Sequence, residues 1–229
     1  MVYDKTMNSS TAVRGILSNS RMARKTQQLY DALAPVYPVS SYLFHADAHR
    51  AALRQSEVRD GMDILEVATG SGELFRKLVE LNSTGRTVGI DLSHQMAARS
   101  QRMARKHFPR SASACYTASG CRLPLADHSF DRIFSCLMLE LLDPPARRLA
   151  LIEFRRVLRP GGRATLVLIG EDSRVFNWLF RRATRTIPAF WGPQTENAVL
   201  SMFDEIGFKI VASQRLRQNG YPSFILTIE

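Results

Sequence analysis

From residue 63 onward, short apolar runs rich in β-branched residues alternate with longer segments whose apolar positions recur every three to four residues. The short runs are typical of buried strands in a parallel sheet, and the longer segments are typical of helices that cover such a sheet. The predicted strands are residues 64–67, 87–90, 112–117, 132–136 and 164–169. The predicted helices begin near Gly72, Ser93 and Pro145. The pattern therefore predicts an α/β fold.

The last part of the chain follows a different pattern. Residues 208–215 and 223–228 are two strand-like runs, and the segment between them contains the pair Asn219-Gly220. An Asn-Gly pair between two such runs is a strong signal of a tight turn. We therefore expect a C-terminal antiparallel hairpin.

The first sixty residues lack the strand pattern and predict two helices, with a tight turn around Ala34 and Pro35 between them. A chain of 229 residues is long enough to bury one substantial core. We therefore expect an N-terminal helical cap over residues 1–60 and one α/β domain over residues 61–229.

The charge of the chain is unusual, because 31 Lys and Arg against 21 Asp and Glu give a net charge of +10. Ten arginines lie between residues 145 and 191, where only three acidic residues occur. Such a surface favours an anionic partner, either nucleic acid or an anionic membrane leaflet. Residues 175–191 mix bulky apolar residues with arginine, which is typical of an interfacial helix and equally of a helix packed on a core.

The three cysteines, Cys115, Cys121 and Cys136, cannot all pair, and none has the spacing of a zinc site. We expect reduced, mostly buried thiols and no metal. No run of about eighteen apolar residues occurs, and the first twenty residues lack the apolar stretch of a signal peptide. These features predict a cytoplasmic protein, with peripheral attachment to a membrane left open by the charge.

The most informative stretch is DILEVATGSGEL at residues 63–74, in which a predicted strand runs into a glycine pair and a helix. Gly70 and Gly72 allow the backbone to turn tightly and approach a ligand. Asp91 ends the next predicted strand, where a fold of this kind places a carboxylate beside a ribose. Each feature alone also fits an ordinary turn or a helix cap. Together they predict a nucleoside-containing cofactor.

Four stretches of the chain resemble the class I S-adenosylmethionine-dependent methyltransferases, especially the branch with the ubiquinone/menaquinone methyltransferases and the bacterial phospholipid N-methyltransferases. They are LEVATGSGEL at 65–74, VGIDLSHQM at 88–96, LPLADHSFDRIFS at 123–135 and EFRRVLRPGGRATLV at 153–167, with YDALAPVY at 30–37 before them. The resemblance implies a Rossmann-like, doubly wound fold with a seven-stranded, mostly parallel sheet. It also implies S-adenosyl-L-methionine as the cofactor.

The resemblance also implies which residues bind this cofactor. The loop under the methionine moiety matches Glu66, Ala68, Gly70 and Gly72. The acid that binds the ribose matches Asp91, and the residues that border the adenine match Leu92 and Met96. The end of the fourth strand matches Ser135.

The chain departs from the family pattern at three positions. Ala68 stands where a glycine is commonest, and Ser119 stands where an aspartate usually holds the adenine amino group. The Ser119 hydroxyl or the backbone of Gly120 and Cys121 would have to take that role. Glu140 stands where the quinone-type enzymes often carry a histidine.

A methyl sulfonium is reactive by itself, so an enzyme of this kind mainly aligns the reactants and excludes water. An acceptor that must lose a proton needs a nearby base, for which the candidates are Glu140, Tyr30, Tyr37 and His45. A turn cap for Glu140 and simple packing for the tyrosines and the histidine are the alternatives.

We expect methyl transfer to a lipid or lipid-like small molecule, either a phospholipid amine or a quinone precursor, at a membrane surface. A methyltransferase for a soluble metabolite and a basic nucleic-acid-binding protein with a cofactor-like pocket are the alternatives. A nicotinamide oxidoreductase and a non-catalytic homologue are weaker ones. Against a nucleic-acid substrate, the chain has no Asn-Pro-Pro-Tyr-like motif, no Pro-Cys nucleophile motif and no RNA-binding module of known type.

Overall fold

The computed structural model describes residues 37–172, 177, 178, 182 and 194–229, without the side chains of residues 37–44. The turn predicted around Ala34 and Pro35 and the helix predicted before it lie outside these residues. The described elements, in chain order, are α1 (Tyr37–Ser56), β1 (Asp63–Val67), α2 (Glu73–Leu81), β2 (Arg86–Asp91), α3 (His94–His107), β3 (Ala112–Thr117), β4 (Phe130–Cys136), a 3-10 turn (Leu139–Leu141), α4 (Pro144–Val157), β5 (Leu158–Ile169), α5 (Glu196–Ile206), β6 (Ile210–Gln218) and β7 (Tyr221–Ile228).

The seven strands form one sheet in the order β3-β2-β1-β4-β5-β7-β6. The first five strands are parallel to their neighbours, whereas β7 pairs antiparallel with both β5 and β6. Asn219 and Gly220 both have positive φ angles, 50° and 80°, as a two-residue hairpin turn requires. The structure therefore confirms the mostly parallel seven-stranded sheet and the C-terminal hairpin.

Strand β5 differs from the prediction at its beginning. The sequence predicts a strand that starts at residue 164, but pairing with β4 begins with Leu158 opposite Phe130 and resumes with Arg163 opposite Arg132. The Pro-Gly-Gly segment bulges between these two pairs, and Gly161 has a φ of 74° that favours glycine. The segment is therefore an irregularity inside β5 and does not precede the strand.

Helices cover both faces of the sheet because apolar side chains alternate to either side of its strands. On one face, Leu151 of α4 and Phe203 of α5 belong to a buried cluster with Leu65, Ile133 and Leu166 of the sheet. The opposite face is covered by α1, α2 and α3, each of which buries apolar residues against the sheet or against a neighbouring helix.

The connection between β3 and β4 contains no helix, so one face of β3 is left uncovered. Tyr116 on this strand is accordingly 54% exposed. Among the residues that the structure describes, no helix combines the length and the apolar character needed to span a bilayer.

Candidate functional site

The predicted site residues follow the carboxyl ends of four neighbouring parallel strands. The loops after β1, β2, β3 and β4 carry them, and these strands are adjacent in the sheet. Strands β2 and β3 lie on one side of β1, whereas β4 and β5 lie on its other side, so the connections run in opposite directions from β1 and β4. Open α/β sheets leave a crevice for a ligand at such a point. The structure therefore brings the predicted cofactor-binding residues and Glu140 to one edge of the sheet.

The glycine turn after β1 has an unusual backbone. Ala68, Gly70 and Gly72 all have positive φ angles of 67°, 50° and 82°, and the Ala68 amide donates a 2.7 Å hydrogen bond to the carbonyl of Ile90 on β2. An alanine with a left-handed backbone conformation costs about 1 to 2 kcal/mol of folding free energy, which explains why glycine suits position 68 better.

Gly72 has a second role that the sequence does not reveal. A Cβ atom on Gly72 would lie 2.6 Å from Met103 Cε and 2.8 Å from Ser100 Oγ, both on α3. The missing side chain lets α2 begin directly against α3. The prediction that Gly72 serves ligand approach is therefore incomplete, because its nearest neighbours are another helix.

Asp91 ties the first two loops together. Its Oδ2 accepts a 2.8 Å hydrogen bond from the Gly70 amide, and its Oδ1 accepts one of 2.8 Å from the Ser93 amide. The side chain that caps α3 is Ser93, whose hydroxyl accepts from the Met96 amide at 3.2 Å. Asp91 therefore orients the glycine turn, and the helix-cap alternative for this carboxylate does not apply.

Glu66 lies on β1, next to Asp91, with its side chain buried. Burial raises the pKa of this carboxyl well above its ordinary value, and the nearby charge of Asp91 raises it further. Its Oε2 atom is buried and has no hydrogen-bond partner in the described structure. A buried carboxyl with an unsatisfied oxygen beside a second acid favours a cationic or hydrogen-bond-donating ligand.

The third loop packs tightly against β1. A Cβ atom on Gly120 would lie 2.9 Å from Val67 Cγ1 and 3.1 Å from Met138 Sδ, so the backbone needs glycine here. The Cys121 amide donates to the Ser119 hydroxyl at 3.2 Å. Of the groups predicted to hold the adenine amino group, the Cys121 amide is already engaged, and the Ser119 hydroxyl oxygen keeps a second lone pair that could accept from it.

The two residues predicted to border the adenine differ in exposure. Leu92 is half-buried, whereas Met96 on the first turn of α3 is fully buried. Leu92 is therefore the more accessible of the two to a ligand.

At the end of β4, the structure places two buried side chains with unsatisfied oxygens. Ser135 Oγ has no hydrogen-bond partner, and neither has Oε2 of Glu140. Glu140 is 4% exposed, and its Oε1 accepts a 2.7 Å hydrogen bond from the amide of Ile169. Burial raises the pKa of Glu140 from 4.5 to about 7, although this hydrogen bond opposes the shift.

The geometry of Glu140 fits both roles that the sequence left as alternatives. Oε1 satisfies the backbone of β5 just beyond the end of β4, which is a capping role. Oε2 keeps an unsatisfied lone pair, and a carboxyl with a pKa near 7 is suited to accept a proton.

The turn that carries Glu140 is held by Arg147, a residue that sequence analysis assigned to the basic region. Arg147 is buried, and its guanidinium donates to the carbonyls of Leu139 at 3.0 Å and Leu142 at 2.8 Å. Its assignment to a charged surface is therefore wrong. Arg147 lies on the side of α4 that faces the protein core. Its position on that side of the helix is the feature of the sequence that could have indicated its burial.

The other described arginines of that region are also engaged. Four of them form ion pairs, all but one with acids from distant parts of the chain. Arg155 lies over the ring of Phe208 at 5.7 Å, and Arg182 lies over that of Trp178 at 5.4 Å. The pairs are Arg148 with Glu205, Arg156 with Glu153 and Asp127, Arg159 with Asp63 and Asp131, and Arg163 with Glu57 and Glu229. The local charge excess is therefore largely compensated, apart from the residues outside the described set.

The remaining catalytic candidates lie on the N-terminal side. Tyr30 lies outside the described residues, and Tyr37 begins α1 with its side chain undescribed. His45 packs edge-on against Tyr221, with ring centroids 5.0 Å apart, and burial lowers its pKa to about 4. His45 is therefore neutral near pH 7.

Two polar residues of the C-terminal strand escaped sequence analysis. Tyr221 and Ser223 both lie on β7, where Ser223 pairs with Ile169, the residue bound by Glu140. The Ser223 hydroxyl is buried and has no hydrogen-bond partner in the described structure. No local motif marks these residues, because their place beside the site depends on β7 entering the sheet next to β5.

All three cysteines are free and half-buried, so their burial is less complete than expected. Burial raises the pKa of Cys136, and the nearby Glu66 and Glu140 raise it further. Within the described residues, no group of three or more His, Cys, Asp or Glu side chains has the arrangement of a metal site.

Comparisons with known proteins agree with this geometry. Residues 64–162 match a family model described as a methyltransferase domain. The chain is 26% identical over 193 residues to the 2-phytyl-1,4-naphtoquinone methyltransferase of Trichormus variabilis, covering 82% of this chain and 79% of the relative. It is 31% identical over 160 residues to the ubiquinone/menaquinone biosynthesis C-methyltransferase UbiE of Bordetella parapertussis, covering 67% of this chain and 58% of that enzyme.

Among solved structures, the N-methyltransferase NodS of Bradyrhizobium japonicum, in complex with S-adenosyl-L-homocysteine, superposes with a TM-score of 0.71. The two chains are 17% identical, and the match covers 89% of this chain and 97% of NodS. At this identity the match supports the fold.

Proposed function

Since the chain belongs to the class I S-adenosylmethionine-dependent methyltransferases, close to the quinone-methylating members, we propose that it methylates a ring carbon of a reduced, quinone-like acceptor. The observation that carries this proposal is Glu140, a buried carboxyl with one unsatisfied oxygen and a pKa of about 7 at the end of β4.

The residues at the carboxyl edge fit the cofactor. Glu66 Oε2 would accept from its ammonium group, and Asp91 would accept from its ribose hydroxyls. The left-handed backbone at Ala68 and Gly70 would bring the main chain close to it. S-adenosylmethionine supplies the methyl group as part of a reactive sulfonium.

The chemistry of the acceptor explains why a base is useful. An oxidised quinone ring is electron-poor, whereas the ring carbon next to a hydroxyl of the reduced form becomes nucleophilic as that hydroxyl loses its proton. The carbon forms a bond to the methyl group while the S–CH3 bond breaks, and S-adenosylhomocysteine leaves as the neutral thioether. The hydrogen on the methylated carbon is then lost as a proton and the hydroxyl oxygen regains the proton that it gave up, so the reaction releases one proton in total.

Glu140 is the group that we assign to this proton transfer. With a pKa of about 7, it is partly ionised near neutrality and can both accept and release a proton. Its Oε1 stays bound to the Ile169 amide, which holds the carboxyl in one orientation while Oε2 reacts. His45 is neutral and packs on Tyr221, so we assign these two residues to the wall of the acceptor pocket.

The names of the relatives favour a quinone-like acceptor over a phospholipid amine. The test is an anaerobic assay with S-adenosylmethionine and a short-chain 2-alkyl-1,4-naphthoquinol whose neighbouring ring carbon is unsubstituted. We expect a product that carries one additional methyl group on carbon, identified by mass spectrometry and NMR, and no product from the oxidised quinone.

Two controls accompany this assay. Asp91→Asn tests whether the product depends on the proposed cofactor site, and phosphatidylethanolamine replaces the quinol as an alternative acceptor. Methylation of the lipid amine alone, or of a quinol oxygen, would refute carbon methylation of a quinol.

A further inference from the structure

Helix α3 and the loops beside it contain an uninterrupted basic stretch. Residues 92–126 include six Lys and Arg and no Asp or Glu. This contrasts with α4 and β5, where Arg147 is buried and the other arginines, except the exposed Arg155, are paired with acids. Within the described structure, the longest stretch of positive charge without acidic partners is therefore the one that contains α3.

Four of these residues form what we define as the basic face: Arg102, Arg105, Lys106 and Arg110. All four are exposed, and none forms an ion pair within the described part of the chain. Arg99 is excluded because it is half-buried and donates to the carbonyl of Ser71 at 3.2 Å.

The fold keeps this face turned away from the protein. On α3 the buried residues are Met96, Ala97, Ser100 and Ala104, which pack towards the sheet and α2. At 3.6 residues per turn, residues 102, 105 and 106 lie on the opposite side of the helix. The helix therefore presents its positive charges together on one convex surface.

We propose that the basic face docks the enzyme on an anionic lipid bilayer. This inference rests on the proposed function, because a quinol with a long isoprenoid chain, such as the phytyl group in one relative's name, partitions into membranes. Basic residues near an anionic leaflet each strengthen association severalfold, without a specific pocket. The face needs only charge to bind such a surface.

One feature favours a bilayer over nucleic acid. Proteins that bind single-stranded nucleic acid combine basic residues with exposed aromatic rings that stack on bases, and α3 contains no aromatic residue other than its histidines. The basic face occupies the C-terminal half of α3 and the residues just after it, away from the loop with Asp91 that precedes the helix.

The experiment is vesicle flotation with two matched triple variants of the full chain. R102Q/R105Q/K106Q removes three charges from the basic face. R54Q/R59Q/K209Q removes three exposed charges elsewhere, none of which forms an ion pair within the described residues. Both variants have a net charge of 10 − 3 = +7, so total charge is controlled.

We expect the wild type to bind vesicles of equal parts phosphatidylcholine and phosphatidylglycerol, and not vesicles of phosphatidylcholine alone. Binding should weaken steeply from about 0.05 M to about 0.5 M NaCl because the salt screens exposed charges. At about fivefold per basic residue, the basic-face variant should partition on the order of a hundredfold more weakly. The control variant should keep most of its binding.

Three outcomes would overturn the proposal: no vesicle binding by the wild type, equal loss in both variants, or loss of duplex RNA binding with unchanged vesicle binding. Activity on the short-chain quinol separates this proposal from the proposed function. The basic-face variant should methylate that water-soluble acceptor at the wild-type rate, whereas failure of the wild type to do so would count against the proposed function alone.

Discussion

Replacement of Glu140 by glutamine should lower activity and raise stability, because the same burial that makes this carboxyl reactive also makes its ionised form costly. Glutamine has the shape of a protonated carboxyl and can still accept the 2.7 Å hydrogen bond from the Ile169 amide. It cannot ionise or accept a proton at the position of Oε2. The variant therefore isolates the ionisation of one group.

The stability change follows from the pKa. The folded-state pKa of about 7 lies above the ordinary value of 4.5, so the folded protein binds the proton more tightly than the unfolded chain does. The wild type therefore loses stability as the pH rises from about 4.5 to about 7, and then levels off. A shift of this size corresponds to about 3 kcal/mol at high pH.

E140Q should accordingly be more stable than the wild type by about 3 kcal/mol near pH 8, and by about 1 kcal/mol near pH 5. Urea unfolding at the two pH values measures this difference. In the quinol assay, the wild-type kcat should rise through a pKa near 7, whereas E140Q should lose about a hundredfold or more and lack this pH dependence.

Two results would refute this reasoning. One is a stability change that is equal at both pH values, which would show that Glu140 does not ionise in the folded protein with a raised pKa. The other is wild-type activity in E140Q, which would remove Glu140 from the proton transfer. E140A serves as the comparison, since it also loses the hydrogen bond to Ile169 and should be less stable than E140Q.

Three further predictions concern the cofactor site and the fold. Asp91→Asn replaces one acceptor oxygen by a donor facing a backbone amide, so titration calorimetry should show S-adenosylmethionine binding weakened about 10- to 100-fold. The pKa of Glu66 is raised by burial and a bound ammonium favours its ionised form, so wild-type affinity should rise with pH, and Glu66→Gln should abolish that rise. Arg215→Met leaves the buried Glu196 carboxylate without its guanidinium partner, which should cost about 2 to 3 kcal/mol in urea unfolding; a loss below about 0.5 kcal/mol would contradict this.

The strands were predictable because parallel strands buried on both faces are continuous apolar runs, and such runs are visible without any knowledge of pairing. The cofactor edge was predictable for a related reason. Gly70 and Asp91 follow the ends of two neighbouring strands, where the Gly70 amide donates to the Asp91 carboxylate. The length of one strand-helix-strand unit fixes their separation along the chain, so the pair is recognisable in the sequence.

The acceptor side was less accessible to sequence analysis. Tyr221 and Ser223 approach the site only because β7 pairs with β5, a contact between residues more than fifty positions apart. Arg147 was misassigned because a count of charges cannot distinguish a guanidinium that binds two backbone carbonyls from one that faces water. Both errors arise from contacts between distant parts of the chain.

The position of β7 has a consequence for how the protein folds during synthesis. All eight residues of β7 (Tyr221–Ile228) are buried, and the strand lies between β5 and β6. The edge of β5 that faces away from β4 therefore has no partner until the ribosome has made β7. The nascent chain therefore exposes an apolar strand edge while more than fifty further residues are added. Folding of the sheet should depend on completion of β7, and cellular chaperones that cover exposed strand edges should bind the chain during that interval.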